Sequence, residues 1–172
     1  SIGSHLELVD LKKLNDNFKL DIRNASENNL MRSKFYNLSK AYLNKDAAKN
    51  LLKAQKDLEE KGFGIVIFDA YRPWYVTKMF WEGTPKHLKH FVADPTDGSV
   101  HNRGCAIDIG LYDKKSGKNI KMISGYDEFT ERAYPDYNGG EKEKRNIRDL
   151  LISTMERNGF SVYEFEWWHY NY

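Results

Sequence analysis

A single cysteine, Cys105, leaves this chain no internal disulfide framework and no multi-cysteine zinc site, although it does not fix the compartment. No apolar run approaches the roughly 20 residues that a membrane-spanning helix needs, so no transmembrane segment is expected. Neither sign of charge is in excess: 27 basic and 25 acidic residues leave a net charge of +2. Lysines alternate with acids, as in Lys56-Asp57-Leu58-Glu59-Glu60-Lys61, which reads as a solvated helix face. Without a basic stripe to follow a phosphate backbone, nucleic acid is a poor partner. No repeat, low-complexity tract or Pro/Gly-rich linker divides the 172 residues. A single domain over 1–172 is expected, with Ser1 to His5 read as a vector-derived remnant that leaves any natural leader open.

What the chain does have is aromatic side chains, 14% of its residues. They predict a core or cleft built partly from Tyr, Trp and Phe. The stretch up to about Leu43 has weak periodicity and reads as short strand or helix pieces over the core. From Lys45 the pattern sharpens. Asp46 is a plausible N-cap, Leu51, Leu52, Ala54 and Leu58 share a helical face, and Gly62 suits the stop. Ile65-Val66-Ile67-Phe68 predicts a buried strand, and Pro73 the first turn of a helix carrying Trp74 to Trp81. Residues 83–98 read as loop. Cys105 to Tyr112 predicts a strand that turns through 113–118 into a returning arm at Asn119 to Met122. Ile147, Leu150, Leu151 and Met155 mark the clearest helix, stopped at Asn158-Gly159, and Phe160 to Trp168 a final strand. Helices mixed with hairpin-linked strands, without a βαβ rhythm, predict an α+β fold.

Three groups of residues carry potential chemistry. In Ser99-Val100-His101-Asn102-Arg103-Gly104-Cys105-Ala106-Ile107-Asp108, the carboxylate of Asp108 sits in an apolar strand. Burying it unpaired is expensive, so it needs a partner, either a metal ion or an arginine. In Glu166-Trp167-Trp168-His169-Tyr170, residues three apart on a regular strand face opposite ways. Glu166 and His169 serve one site only if the backbone turns or bulges near Trp167-Trp168; otherwise both lie in water on an aromatic edge strand. In Asp69-Ala70-Tyr71-Arg72-Pro73, Arg72 either offers its fork of donors to a cleft or forms a structural salt bridge with an acid such as Asp69. Two histidines and one aspartate leave a fourth metal position open, as in catalytic zinc sites. An unligated Glu would then be the base and an arginine the oxyanion partner. His87 and His90 flank Lys86 and Lys89 without a nearby carboxylate and read as surface residues. Cys105 reads as packing beside Gly104.

At these motifs the sequence resembles the VanX-type D-alanyl-D-alanine dipeptidases, zinc D,D-peptidases that share a fold with the Hedgehog signalling domain. The family pattern Ser-x-His-x-x-Gly-x-Ala-x-Asp, Glu-x-Trp-His and an upstream Tyr-Arg-Pro is met at Ser99 to Asp108, Glu166 to His169 and Tyr71 to Pro73. The likeness extends through Ile107 to Tyr112, Arg145 to Trp168 and Asp21 to Leu30. It implies a small, mostly antiparallel sheet flanked by helices, and one Zn²⁺ per chain held by His101, Asp108 and His169. It also implies hydrolysis of D-Ala-D-Ala, a small dipeptide substrate, to two D-alanines, with Glu166 as base and Arg72 stabilising the oxyanion. Ser99 and Asp127 occupy the places that hold the substrate's free amine. The chain departs from the family at Asn102, where Ser is frequent, and at Asn24, where many members carry a Tyr. The connection from Arg72 to His101 is short, which would open the cleft, and relatives usually continue beyond the position of Tyr172.

Two other readings compete. One is a related D,D-carboxypeptidase or endopeptidase acting on peptidoglycan stem peptides, which the shared motifs do not separate. The other is a non-catalytic zinc-binding module, which would need neither Glu166 nor Arg72. Oligomeric state and physiological role, whether glycopeptide resistance or D-alanine recycling, have no signal in the sequence.

Overall fold

The structure, a computed structural model, describes residues 7–23 and 40–172. Ser1 to His5, Asn24 and the rest of the likeness up to Leu30 lie outside the described residues. The strands are β1 (Leu8–Asp10), β2 (Lys19–Leu20), β3 (Tyr42–Asn44), β4 (Phe63–Asp69), β5 (Ala106–Asp113), β6 (Ser161–Tyr163) and β7 (Glu166–Asn171). The helices are α1 (Leu11–Leu14), α2 (Lys45–Glu59), α3 (Trp74–Gly83) and α4 (Lys142–Arg157). A five-stranded sheet runs β2-β4-β5-β7-β6, parallel only between β2 and β4, and β1 pairs with β3 in a small second sheet. This is the α+β, mostly antiparallel arrangement that was expected.

Alternation along the central strands divides the sheet into two faces. Ile65 and Ile67 of β4 and Ile107, Ile109 and Leu111 of β5 enter the main core with Leu51 and Leu58 of α2 and Leu151 and Met155 of α4. Among the described residues Trp167, Trp168 and Tyr170 are the largest fully buried side chains, so part of the aromatic content is core. The opposite face carries Phe68 and Asp108 and becomes the cleft. Gly110 keeps that face open, because a Cβ there would lie 2.9 Å from the Phe68 ring.

Several boundaries differ from the sequence expectation. Asn44, not Asp46, caps α2, its Oδ1 accepting from the amides of Asp46 and Ala47. Pro73 is the N-cap of α3, with extended backbone, rather than part of its first turn. Residues 86–91 within the expected loop form a 3-10 turn. The arm after the 113–118 turn pairs with β5 only at Tyr112 and Asn119. The final strand is instead a hairpin, because Glu164 and Phe165 turn the chain between β6 and β7.

Candidate active site

The site begins with strand register. Asp69, Asp108 and His169 lie abreast on β4, β5 and β7, because Asp69 pairs with Asp108 and Asp108 with His169. An irregularity between Ile67 and Asp69 inserts Phe68 and brings Asp69 beside Asp108. A second one lets Glu166 pair with Tyr163 while Tyr170 pairs with Val162, so Trp167 to His169 bow out from β6. Bulges re-aim side chains in this way beside active sites. The bow lies at the Trp167-Trp168 position where the sequence demanded one, and Glu166 Oε1 comes to 3.9 Å from His169 Nδ1.

His101 arrives from a 3-10 turn, Val100–Arg103, just before β5. Ser99 caps this turn, its Oγ accepting from the His101 amide, and the Asn102 side chain returns a bond from the Ser99 amide. Asn102 also donates to the Arg72 carbonyl and to Thr77 Oγ1, tying the loop to the start of α3. Gly104 ends the turn at φ +70, and a Cβ there would lie 2.5 Å from the Leu8 side chain. Left-handed backbone in so tight a space admits only glycine.

Three acceptor atoms converge. His169 Nδ1 lies 3.0 Å from Asp108 Oδ1, and His101 Nε2 lies 3.3 Å from both. The distal nitrogens set the tautomers. His101 Nδ1–H donates to the Ala70 carbonyl at 2.8 Å, and His169 Nε2 lies 2.7 Å from Asn171 Oδ1, to which it donates when it carries the proton. Tyr126 OH donates to the other Asp108 oxygen, Oδ2, at 2.9 Å. With the protons on the distal nitrogens, two ring lone pairs and a carboxylate oxygen face one point. Mutual repulsion makes that arrangement costly unless a cation sits there. Donors bound tetrahedrally at about 2.0–2.1 Å are roughly 3.3 Å apart, which the observed spacing fits. Partners on the remote nitrogens are the usual support for metal-binding imidazoles. Among the described residues this trio is the group of three or more that could hold a metal ion.

Around the trio stand Arg72, Ser99, Asp127 and Glu166. Arg72 Nη1 donates to buried Asp69 at 3.1 Å, and Nη2 to Ser99 Oγ at 3.2 Å. The salt bridge and the cleft placement thus coexist. The side chains of Glu166 and Asp127 make no hydrogen bond with any other described residue. Asp127 adopts left-handed backbone, φ 59, which aspartate tolerates better than most residues. Its loop is anchored just before it: Trp167 Nε1 donates to Ser124 Oγ, and the Tyr126 ring stacks on Phe68 at 4.5 Å.

The cleft is overloaded with acids. Burial pushes the Asp108 carboxyl up, but in the metal-free protein protons on His101 and His169 stand in for a cation, and their charges and hydrogen bonds outweigh burial and hold it well below the usual range. Burial, with Asp108 and Asp127 beside it, raises Glu166 well above that range against the pull of Arg72. Burial and repulsion from Asp108 and Asp69 push Asp127 up to about 7. In the unfolded chain an aspartate ionises near about 4. Between these values the folded state holds the extra proton, so this group's contribution to stability declines as pH rises from about 4 to about 7. Metal-free wild type should lose stability relative to Asp127→Asn across that window. Denaturant melts at both ends check it, and parallel pH profiles would contradict it.

The remaining wall is apolar. Phe80 of α3, Phe91, Val92 and Ala93 of the Arg72-to-His101 connection, Phe129 and Tyr163 line the same cavity, about 220 Å³ in volume. Phe91 stacks on Phe129 at 4.9 Å. The short connection supplies one of the cleft's walls. His87 and His90 are exposed as expected, and Cys105 is half-buried beside the Gly104 turn. Sequence reasoning missed Tyr126, Asn171 and the structural part of Asn102. Asn171 had a signal, since two residues along a strand from His169 is the same face. Asn102 had one as well, three residues after a capping serine. Tyr126 had none.

The peptidase M15 family profile, described as D-ala-D-ala dipeptidase, matches residues 4–172. The chain belongs to this family. It is 34% identical over 164 residues to the D-alanyl-D-alanine dipeptidase of Escherichia coli (strain K12), covering 95% of this chain and 83% of that protein. It is 33% identical over 144 residues to the D-alanyl-D-alanine dipeptidase of Enterococcus faecium, covering 73% and 70%. The fold matches the vancomycin-resistance D,D-dipeptidase VanXYg, solved with a D-Ala-D-Ala phosphinate analogue, at TM-score 0.53 and 19% identity over 96% of this chain and 67% of that one. It also matches the LdcB LD-carboxypeptidase at TM-score 0.51 and 18% identity, over 76% of this chain and 59% of that one. As a member of this metallopeptidase family, the chain is an enzyme that depends on a metal ion.

Proposed function

We propose that the chain is a single-domain zinc D,D-dipeptidase that hydrolyses D-Ala-D-Ala to two D-alanines. One Zn²⁺ would be held by His101 Nε2, His169 Nδ1 and an Asp108 oxygen. The observation that carries this reading is the convergence of those three atoms to within 3.0–3.3 Å of one another. Two imidazoles and one carboxylate with an open fourth position is a donor set suited to catalytic zinc. Bound there, the metal supplies Lewis acidity toward the scissile carbonyl and acidifies water.

The protein's own groups supply the rest. Glu166, raised by burial and by its acidic neighbours, takes a proton from the attacking water and delivers it to the leaving amine. Arg72 is held in one orientation by Asp69 and Ser99, and its Nε has no partner among the described residues. It directs donors at the oxyanion. Asp127 pairs with the substrate ammonium, and Ser99 completes that end of the cleft. The cavity of about 220 Å³ is smaller than the roughly 300–1,000 Å³ usual for drug-sized ligands, which suits a dipeptide.

Elemental analysis tests the metal assignment. Wild type should carry about one zinc per chain, falling to a small residue in His101→Ala and in His169→Ala. Full occupancy in both variants would mean that other residues bind the metal.

A further inference from the structure

We propose that Asn171 is a positioning residue for the metal: its side-chain oxygen fixes the tautomer of His169, so that Nδ1 rather than Nε2 is the ligand atom. This rests on the reading of His169 as a ligand.

The two histidines are held differently. His101 donates from Nδ1 to a backbone carbonyl, which only accepts, so its Nε2 lone pair is fixed toward the cleft by the main chain. His169 presents the opposite nitrogen, and its distal Nε2 meets a side chain, Asn171 Oδ1, at 2.7 Å. Free imidazole exchanges its proton between the two nitrogens, and the partner of one decides which lone pair is left. With Oδ1 toward the ring, Nε2 keeps the proton and Nδ1 is bare. With no acceptor there, the proton can sit on Nδ1 instead, donating to Asp108 Oδ1 at 3.0 Å. That alternative puts a hydrogen in the metal position and uses the carboxylate oxygen that should bind the metal. Asp108 thus competes with the metal for His169, and Asn171 decides the competition.

The backbone of Asn171 suits this task. It pairs with Ala106 of β5 on one side and with Ser161 of β6 on the other, so its Cα is fixed by the sheet. Its side chain lies on the cleft face with His169, two residues along the same strand. It also lines the cavity.

The experiment compares Asn171→Leu, Asn171→Asp and His169→Ala by chelator competition for Zn²⁺, and by long-range ¹H–¹⁵N NMR of the imidazoles in the metal-free proteins. Asn171→Leu removes the acceptor, so its zinc affinity should fall by roughly 10- to 100-fold. Its His169 signals should shift toward the Nδ1–H form. Asn171→Asp, which only accepts, should keep the Nε2–H form and wild-type affinity or better. A folded Asn171→Leu protein with unchanged tautomer and affinity overturns the inference. Loss of affinity in Asn171→Leu without a tautomer shift, or without rescue by Asn171→Asp, overturns it too, because that is a packing defect. His169→Ala separates this from the underlying reading: retained zinc there means that His169 is not a ligand at all.

Discussion

Glu166→Gln should lower hydrolysis of D-Ala-D-Ala by roughly 10²-fold or more while leaving the metal in place. The amide keeps the size and hydrogen-bonding capacity of the side chain but cannot take a proton from water. Metal retention follows from geometry, because Glu166 Oε1 stands 3.9 Å from His169 Nδ1, outside the tight trio of donors. The substitution also removes a carboxyl that burial and its acidic neighbours disfavour in the ionised form, so the folded protein should not suffer. Arg72→Ala should lower turnover by a similar order if its donors serve the oxyanion. It has a second cost, since buried Asp69 loses its guanidinium partner at 3.1 Å. Steady-state kinetics and zinc content on the same preparations separate these effects. Near-normal turnover in Glu166→Gln removes it as the base, and loss of zinc would make it a ligand.

The second large effect concerns the substrate's amine. A free dipeptide carries an ammonium next to the scissile unit, whereas N-acetylated D-Ala-D-Ala and a peptidoglycan stem have a neutral amide there. In the proposed function that ammonium meets Asp127, which lines the small cleft. An acylated substrate brings no cation to this carboxyl, which burial already disfavours in its ionised form, and the lost charged contact is worth about 1–3 kcal/mol. The penalty translates into roughly 10- to 100-fold discrimination in kcat/KM, and the confined cavity adds to it. Asp127→Asn should narrow the gap mainly by harming the free dipeptide. Equal hydrolysis of free and acetylated dipeptide by the wild type would remove Asp127 from amine recognition and favour the carboxypeptidase reading.

Much of this was legible because the chemistry is concentrated in short motifs. The apolar surroundings of Asp108 announce that it needs a partner, and Glu166 and His169, three apart, announce a bulge. The bulge is there at Trp167 to His169, and a second one beside Phe68 could not be read. Inserting one residue into a strand changes register without changing composition, so only the pairing reveals it. The α4 stripe was visible for the same reason that its outlier was not. Periodicity finds Leu151 and Met155, but Arg148 is buried one turn before Leu151 because the Tyr137 carbonyl accepts from its Nη1 at 2.7 Å. The final hairpin read as one strand because Glu164 and Phe165 carry no Gly, Pro or Asn to mark the turn. The contact of Tyr126 with Asp108 depends on how a loop crosses the sheet, which no local pattern encodes.

The most direct test of the dipeptidase assignment is release of D-alanine by the zinc-loaded protein from D-Ala-D-Ala, from L-Ala-L-Ala and from a muramyl pentapeptide ending in D-Ala-D-Ala. The predicted result is rapid release from the D,D dipeptide, little from the pentapeptide and no hydrolysis of the L,L dipeptide. Release from the pentapeptide at a rate equal to or above that from the dipeptide would contradict the assignment.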